Sequence, residues 1–380
     1  MRFGWFAYFQ ERDMPTAQMY EQYLQEVELA DRLGYDEVWL AEHHFSNYAT
    51  LPSPNTLLAA IAARTDRIRL GNMVTVLPLY DPLRLAEEIG MIDQISCGRL
   101  NLGIGSGVAP DEFAKYGMSM TEAKPRFEEA VQILLTAFTS DAFDFSGEFH
   151  RYTDVTLVPK PVQQPYPPLC QAVFSAESTR WCAERNIPIA RIYETFEDAK
   201  TMATLYHRST PGPTSRVEPP DHDGSTPLVD AYPGRPSVRF FRPVYVADTT
   251  AKAMDEAVPE LFRHFIRFAD AREDPPQEAS PDRWRYLVGK ALKRLGPLDF
   301  ERLDAEDIVI IGDPRRVRDK IERLRDEASM DDFVGIFAFG NLHHDRVCRS
   351  LELFAEHVIP PLAAGRDVRK STELGHTTRS

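Results

Sequence analysis

Between residues 3 and 208 short apolar runs alternate with stretches of helical periodicity, and no other feature of the chain restricts its fold as much. The runs are FGWFAYF (3–9), EVWLAEH (37–43), IRLGNMVTVL (68–77), RLNLGIGSG (99–107), PLCQAVF (168–174) and IPIARIY (187–193). Between the first two, Met19, Tyr20, Tyr23, Leu24, Val27 and Ala30 recur at helical spacing, and Gly34 stops the helix. SPNTLLAAIAAR and ESTRWCAERN read as helices, as does DPLRLAEEIGMIDQIS with Pro82 at its first position, and Phe127, Val131, Leu134, Leu135 and Phe138 mark one helix face. The strands are continuously apolar rather than alternating, which is the pattern of a parallel sheet covered on both faces.

After residue 208 the rhythm breaks. Residues 209–236 are dense in Pro, Gly and charge and read as an insertion. VRFFRPVYVAD (238–248) resumes the strands, and 249–270 reads as a helix with Leu261, Phe262, Phe265 and Phe268 on one face. Residues 271–307 are irregular in part. IGDPRRVRDKIERL opens a helix with Asp313 as its cap and Pro314 just inside it, DFVGIFAFG (332–340) is the last strand, and Val347, Leu351, Phe354 and Val358 line the last helix. The count is eight strands, each followed by a helix. A doubly wound open sheet is the rival, but eight units favour a closed (β/α)8 TIM barrel of the α/β class. Residues 1–360 are expected to form one domain and 361–380 a polar tail.

Composition narrows the partners. A net charge of −14 disfavours nucleic acid. No window reaches the roughly 18 consecutive apolar residues of a membrane span, and the N-terminus lacks the basic start of a signal peptide, so a cytoplasmic protein is expected. Cys97, Cys170, Cys182 and Cys348 form no CxxC pair. They read as buried structural thiols rather than disulfides or zinc ligands.

Three constellations fall at strand ends, where a barrel of this kind does chemistry. The first is AEHHF (41–45). Neighbours on a strand point to opposite faces, so Glu42, His43 and His44 can serve one site only if the strand has already ended. A histidine there suits general acid–base work near neutral pH, although loop histidines often only bond a backbone carbonyl. Adjacent histidines are a poor chelating pattern, and no metal is expected. The second is LGIGSGVAPDEF (102–113), whose glycines, Gly105 among them, let a backbone approach a ligand; the spacing is not GxGxxG and no tight helix is expected to follow. The third is FSAESTRW (174–181). Ser175, Ser178 and Thr179 cluster where a strand meets its helix, which makes an anion site or an ordinary N-cap. Arg126 could bring a guanidinium to the same anion.

The order EVWLAEHHF, SP, VLPLYDPLRLAEEIGMIDQISCGRLNLGIGSG and SAESTRW resembles the bacterial luciferase-like flavin monooxygenases over most of residues 1–200, and again at IIGDPRRV and the last strand. The resemblance implies a TIM barrel that dimerises through its second and third helices. It also implies a two-component enzyme: reduced FMN from a separate flavin reductase reacts with O2, giving a flavin hydroperoxide that oxygenates a small, largely apolar molecule. His43 matches the family's catalytic histidine and Glu42 its acidic neighbour. Met73, Val74 and Thr75 match the segment behind the isoalloxazine ring. Ser175, Ser178 and Arg126 match phosphate-binding residues, and 271–307 falls where luciferase has a mobile loop. One departure stands out: Ser106 occupies the position of a phosphate-binding arginine, which removes a bidentate charged contact. Two alternatives remain, a deazaflavin-dependent hydride-transfer oxidoreductase and a non-catalytic flavin-binding protein.

Overall fold

The computed structural model describes residues 1–46, 48–211, 235–270 and 299–363. Most of the insertion read at 209–236, the segment 271–298 and the tail beyond 363 lie outside the described residues.

Eight parallel strands close into a barrel: β1 (Phe3–Ala7), β2 (Glu37–Leu40), β3 (Arg69–Asn72), β5 (Leu100–Gly105), β8 (Leu169–Ala172), β9 (Ile189–Ile192), β10 (Val238–Val246) and β12 (Asp332–Ile336). Closure comes from β10, which pairs with both β9 and β12, and from β12, which pairs with β1. Every residue of β1, β2, β10 and β12 is buried, because helices cover the outer face while side chains fill the inner one. Packing is close enough that a Cβ on Gly71 would lie 2.4 Å from the Trp39 ring.

The outer layer is α1 (Thr16–Leu33), α2 (Pro54–Ala62), α3 (Pro82–Ile95), α5 (Ala123–Thr139), α6 (Ala176–Glu184), α7 (Phe196–Ser209), α8 (Thr250–Asp270), α10 (Pro314–Glu327) and α11 (His344–His357). Their starts follow the sequence signals. Asp81 and Asp313 accept from main-chain N–H groups of the first turn, each with Pro at the first helical position, and such caps contribute about 1 kcal/mol each. Gly34 closes α1 in the left-handed conformation, at φ +87°.

Several expectations need correction. The third apolar run is two strands, β3 and the two-residue β4 (Thr75–Val76), separated at a cis Met73–Val74 peptide. A short helix, α4 (Pro110–Lys115), does follow the Gly-rich strand end. An antiparallel hairpin, β6 (Phe143–Ser146) with β7 (Arg151–Val155), separates α5 from β8. Residues 300–305 of the segment read as irregular form α9 (Phe300–Ala305). Ile310–Gly312 is a further parallel strand, β11, on the end of β10, too short to show as an apolar run. Cys170 and Cys182 are buried, but Cys97 is exposed and Cys348 half-buried; all four are free thiols. No helix among the described residues is long and apolar enough to cross a membrane.

Candidate active site

A cavity of about 740 Å³ opens at the C-terminal ends of the barrel strands, within the range of about 300–1,000 Å³ typical of ligand sites. Strand β2 stops at Leu40, so residues 41–45 are free of the pleat and the two histidines part company. His43 lines the cavity. His44 is buried behind it, with Nε2 3.1 Å from Glu42 Oε1 and Nδ1 3.0 Å from the Tyr116 hydroxyl.

Two carboxylates hold this loop in different ways. Glu42 accepts from the Val76 N–H at 3.2 Å and the Tyr80 hydroxyl at 3.0 Å as well as meeting His44. Burial pushes its carboxyl above the ordinary value, against the pull of those bonds. Glu112, from α4, stands 3.1 Å from His43 Nδ1 and accepts from the His44 N–H at 3.1 Å. Burial acts upward on Glu112 too, but the bonds from the two histidines outweigh it and leave the carboxyl below its ordinary value. Glu112 is therefore ionised at neutral pH and accepts the proton of His43 Nδ1. In the neutral ring Nε2 is then the acceptor nitrogen.

Met73, Val74 and Val76 form one apolar wall, with Gly105 and Ser106 beside them. Thr75 lies behind that wall, fully buried and bonded by Asn72. The glycines of β5 are also required by close packing within the protein. A Cβ on Gly103 would meet Asn72 O at 1.8 Å, and one on Gly105 would meet Val74 Cγ2 at 2.4 Å. Phe6, Tyr8, Tyr48 and Phe174 are among the aromatic residues of the lining, whereas Trp5 is core and Phe45 is exposed.

At the far end Ser175 caps α6. Its hydroxyl accepts from the Ser178 N–H at 3.1 Å, and the two hydroxyls are 2.8 Å apart. Both residues line the cavity. Thr179 does not; it is buried and donates to Ser175 O at 2.8 Å. Arg126 is also outside the lining, bonded to Glu122 at 2.8 Å and laid over the Phe149 ring at 4.2 Å. The cation here is Lys124, two residues earlier, with Nζ 3.3 Å from Glu177 Oε1 and 3.9 Å from Glu128 Oε1. The sequence reading missed Glu112, Lys124, Tyr193 and the charged group Arg191, Glu194 and Arg302, all in the lining. Of these, Glu112 was within the quoted stretch 102–113, where its place in the first turn of a helix was the available signal. Among the described residues no group of three His, Cys, Asp or Glu could hold a metal ion.

Ser175, Ser178 and Lys124 form a donor set suited to a phosphate at a helix N-terminus, and the apolar wall suits a flat ring system. The residues thus fit a flavin mononucleotide, although Glu128 and Glu177 offset the single ammonium.

Comparison with known proteins bears on the family and the fold. The family model described as luciferase-like monooxygenase matches residues 1–331. The oxygenase component of the flavin-dependent trigonelline monooxygenase of Acinetobacter baylyi is 30% identical over 208 residues, 53% of this chain and 58% of that one. Across three curated relatives matched at 30–40% identity, the chain spans about half of their length. The solved structure of monooxygenase RslO1 from Streptomyces bottropensis superposes with a TM-score of 0.80 at 26% identity, covering 95% of this chain and all of that one. Two more distant structures share the fold: the FMN complex of the oxygenating constituent of 3,6-diketocamphane monooxygenase from Pseudomonas putida (TM-score 0.71, 20% identity, covering 95% and 98%) and an F420-dependent secondary alcohol dehydrogenase (0.69, 17%, covering 94% and 98%). The chain belongs to the luciferase-like monooxygenase family.

Proposed function

We propose that the protein is the oxygenase of a two-component system, taking reduced FMN from a separate flavin reductase and using O2 to oxygenate a small, largely apolar molecule. The observation that carries this reading is the meeting in one cavity of His43, tautomer fixed by Glu112, with the hydroxyl and ammonium donors of Ser175, Ser178 and Lys124. The relative named as an oxygenase component supports the separate reductase.

Bound reduced FMN supplies the two electrons for oxygen activation, one oxygen atom going to substrate and one to water. The chain does the rest. Ser175, Ser178 and Lys124 would hold the phosphate, and Met73, Val74 and Val76 would back the ring. Nε2 of His43 would take a proton at the reacting centre and return it to the reacting oxygen, and Glu112 keeps that ring in place. Glu42 and His44 act behind His43 by fixing the loop. The aromatic lining keeps water out. The cytoplasm is the compartment consistent with four unpaired thiols. Dimerisation through α2 and α3 is supported by the exposed Met91 and Ile95 on α3. Sedimentation of a Met91→Lys, Ile95→Lys protein tests it, with a monomer expected.

The test of function is an anaerobic titration with reduced FMN followed by rapid mixing with oxygenated buffer. Tight binding and a flavin oxidation slower than in free solution are expected. His43→Ala should bind FMN normally and lose oxygenation by on the order of 10²- to 10⁴-fold. Ser106, in place of a phosphate arginine, favours a second reading, hydride transfer with a deazaflavin. Failure to bind reduced FMN, together with reduction of a deazaflavin by an alcohol, would select it.

A further inference from the structure

Two neighbouring strands carry arginines with buried side chains, Arg191 on β9 and Arg242 on β10. Arg191 lines the cavity and donates from Nη1 to Val173 O at 3.0 Å, two residues before the Ser175 cap of α6. After β9 the chain turns at Tyr193, whose φ is +52°, and brings Glu194 back onto Arg191. Arg191 Nε donates to Glu194 Oε2 at 2.6 Å and Nη2 donates to Oε1. Glu194 lines the cavity too. The family-matching stretches do not include Arg191, Glu194 or Arg242, and the mechanism above does not use them.

The charges of this group do not balance. Arg242 donates from Nε to Asp307 O at 2.9 Å and from Nη1 to Phe241 O at 3.0 Å, both neutral carbonyls. Its Nη2 is buried and has no hydrogen-bond partner among the described residues. Burial draws the guanidinium down to about 10, with Glu194 and Asp307 pulling upward and Arg191 adding to the fall, so Arg242 is still charged at neutral pH. Asp307 is committed elsewhere, to Lys320 at 2.7 Å and Arg323 at 2.8 Å. Glu194 is therefore one carboxylate between two buried guanidiniums. A buried cation short of an anion is costly, and so is an N–H without an acceptor. One more anion completes the group, and it meets the cavity through Arg191 and Glu194.

We propose that Arg191 supplies the charged phosphate contact that Ser106 does not, turning from Glu194 to the phosphate of FMN while Glu194 passes to Nη2 of Arg242. The proposal rests on the flavin reading of the cavity and deepens it. Arg191 is a binding residue and Arg242 a positioning residue. The fork of a guanidinium matches phosphate oxygens, which the lone ammonium of Lys124, offset by Glu128 and Glu177, does not. The bond to Val173 O puts that fork at the strand end that leads into the Ser175 cap. The exchange leaves each of the two buried guanidiniums with its own anion.

The test is anaerobic equilibrium dialysis of the full chain against reduced FMN and reduced riboflavin, which share a ring system and differ in the phosphate. Arg191→Met should weaken reduced FMN by about tenfold or more, as loss of a bond to a charged group does, and hold reduced riboflavin within about twofold. Glu194→Gln should act in the other direction and tighten reduced FMN by about threefold, because Arg191 no longer has to leave a carboxylate. Arg242→Met should weaken reduced FMN in the wild-type background and have no effect beside Glu194→Gln, where no carboxylate needs a new partner. An ion pair that only braces the fold gives the opposite result for Glu194→Gln, with both flavins weakened. Equal losses of the two flavins in Arg191→Met, or weaker FMN in Glu194→Gln, overturn the proposal and leave the flavin reading standing. A loss in Arg242→Met that persists beside Glu194→Gln overturns the role of Arg242. If Arg191→Met does not fold, Glu194→Gln, which keeps the shape of the side chain, decides. A wild type that binds neither flavin removes the flavin reading and this proposal with it.

Discussion

Glu112 Oε1 lies 3.1 Å from Nδ1 of His43 and 3.1 Å from the main-chain N–H of His44. One carboxylate oxygen from a six-residue helix thus fixes both the tautomer of the cavity histidine and the backbone that carries it. The arrangement is that of a base oriented by a buried acid. Glu112→Gln keeps the shape but replaces the ionised acceptor with a neutral amide. We expect it to slow oxygenation by on the order of 10-fold, less than loss of His43 itself, with reduced-FMN affinity unchanged. Single-turnover rates with both variants check this, and equal rates for Glu112→Gln and wild type would remove the orienting role.

Glu42 and Glu112 should respond to pH with opposite sign. Glu112 is held below the ordinary 4.5, so its contribution is present above the unfolded value and is lost as pH falls through the lower folded value. Glu42 is held above 4.5 by burial, so its contribution is full below the unfolded value and falls as pH rises through the folded one. Urea unfolding of Glu42→Gln and Glu112→Gln across the acid range tests this. As pH rises, Glu42→Gln should gain on the wild type and Glu112→Gln should lose to it. Parallel pH profiles for the two variants would contradict the assignment.

Lys124 and Arg126 make a second contrast. Lys124 lines the cavity beside Ser175 and Ser178, whereas Arg126 is committed to Glu122 and Phe149. Lys124 is largely exposed, which limits what its charge contributes. Lys124→Ala should weaken reduced FMN by about three- to tenfold and leave reduced riboflavin, which lacks the phosphate, unaffected. Arg126→Ala should change neither. A larger loss with Arg126→Ala than with Lys124→Ala would return the phosphate contact to Arg126.

The sequence made the barrel legible because eight continuous apolar strands need two covered faces, and made Ser175 legible because a serine where an apolar strand gives way to a helix is a cap whatever surrounds it. It left β11 unread because three residues carry no period. Lys124 and Arg126 could not be told apart, since both precede the same helix face and only the hairpin residue Phe149 decides which one turns away. The bond from the Tyr193 hydroxyl to Tyr8 and the contact between Tyr193 and His264 join residues up to 256 positions apart. No local pattern encodes such a bond.

The glycines of β5 read as room for a ligand, and the structure adds a packing requirement that can be measured. A Cβ on Gly103 would lie 1.8 Å from the Asn72 carbonyl oxygen, a main-chain atom that cannot swing aside, and the Gly103 N–H already donates to Asn72 Oδ1 at 3.1 Å. Gly103→Ala must therefore push β5 away from the Asn72–Met73 wall. Gly117 offers the control: it has nothing within 4 Å of a built Cβ and differs only in its φ of +71°. Gly117→Ala should cost about 1 kcal/mol, the backbone effect alone. Gly103→Ala should cost about 1–3 kcal/mol or more and should also weaken reduced FMN, because Met73 moves with the strand. Urea midpoints and FMN titrations of the two variants separate these effects. Equal losses of stability would mean that the close approach of β5 to β3 is not what requires the glycine.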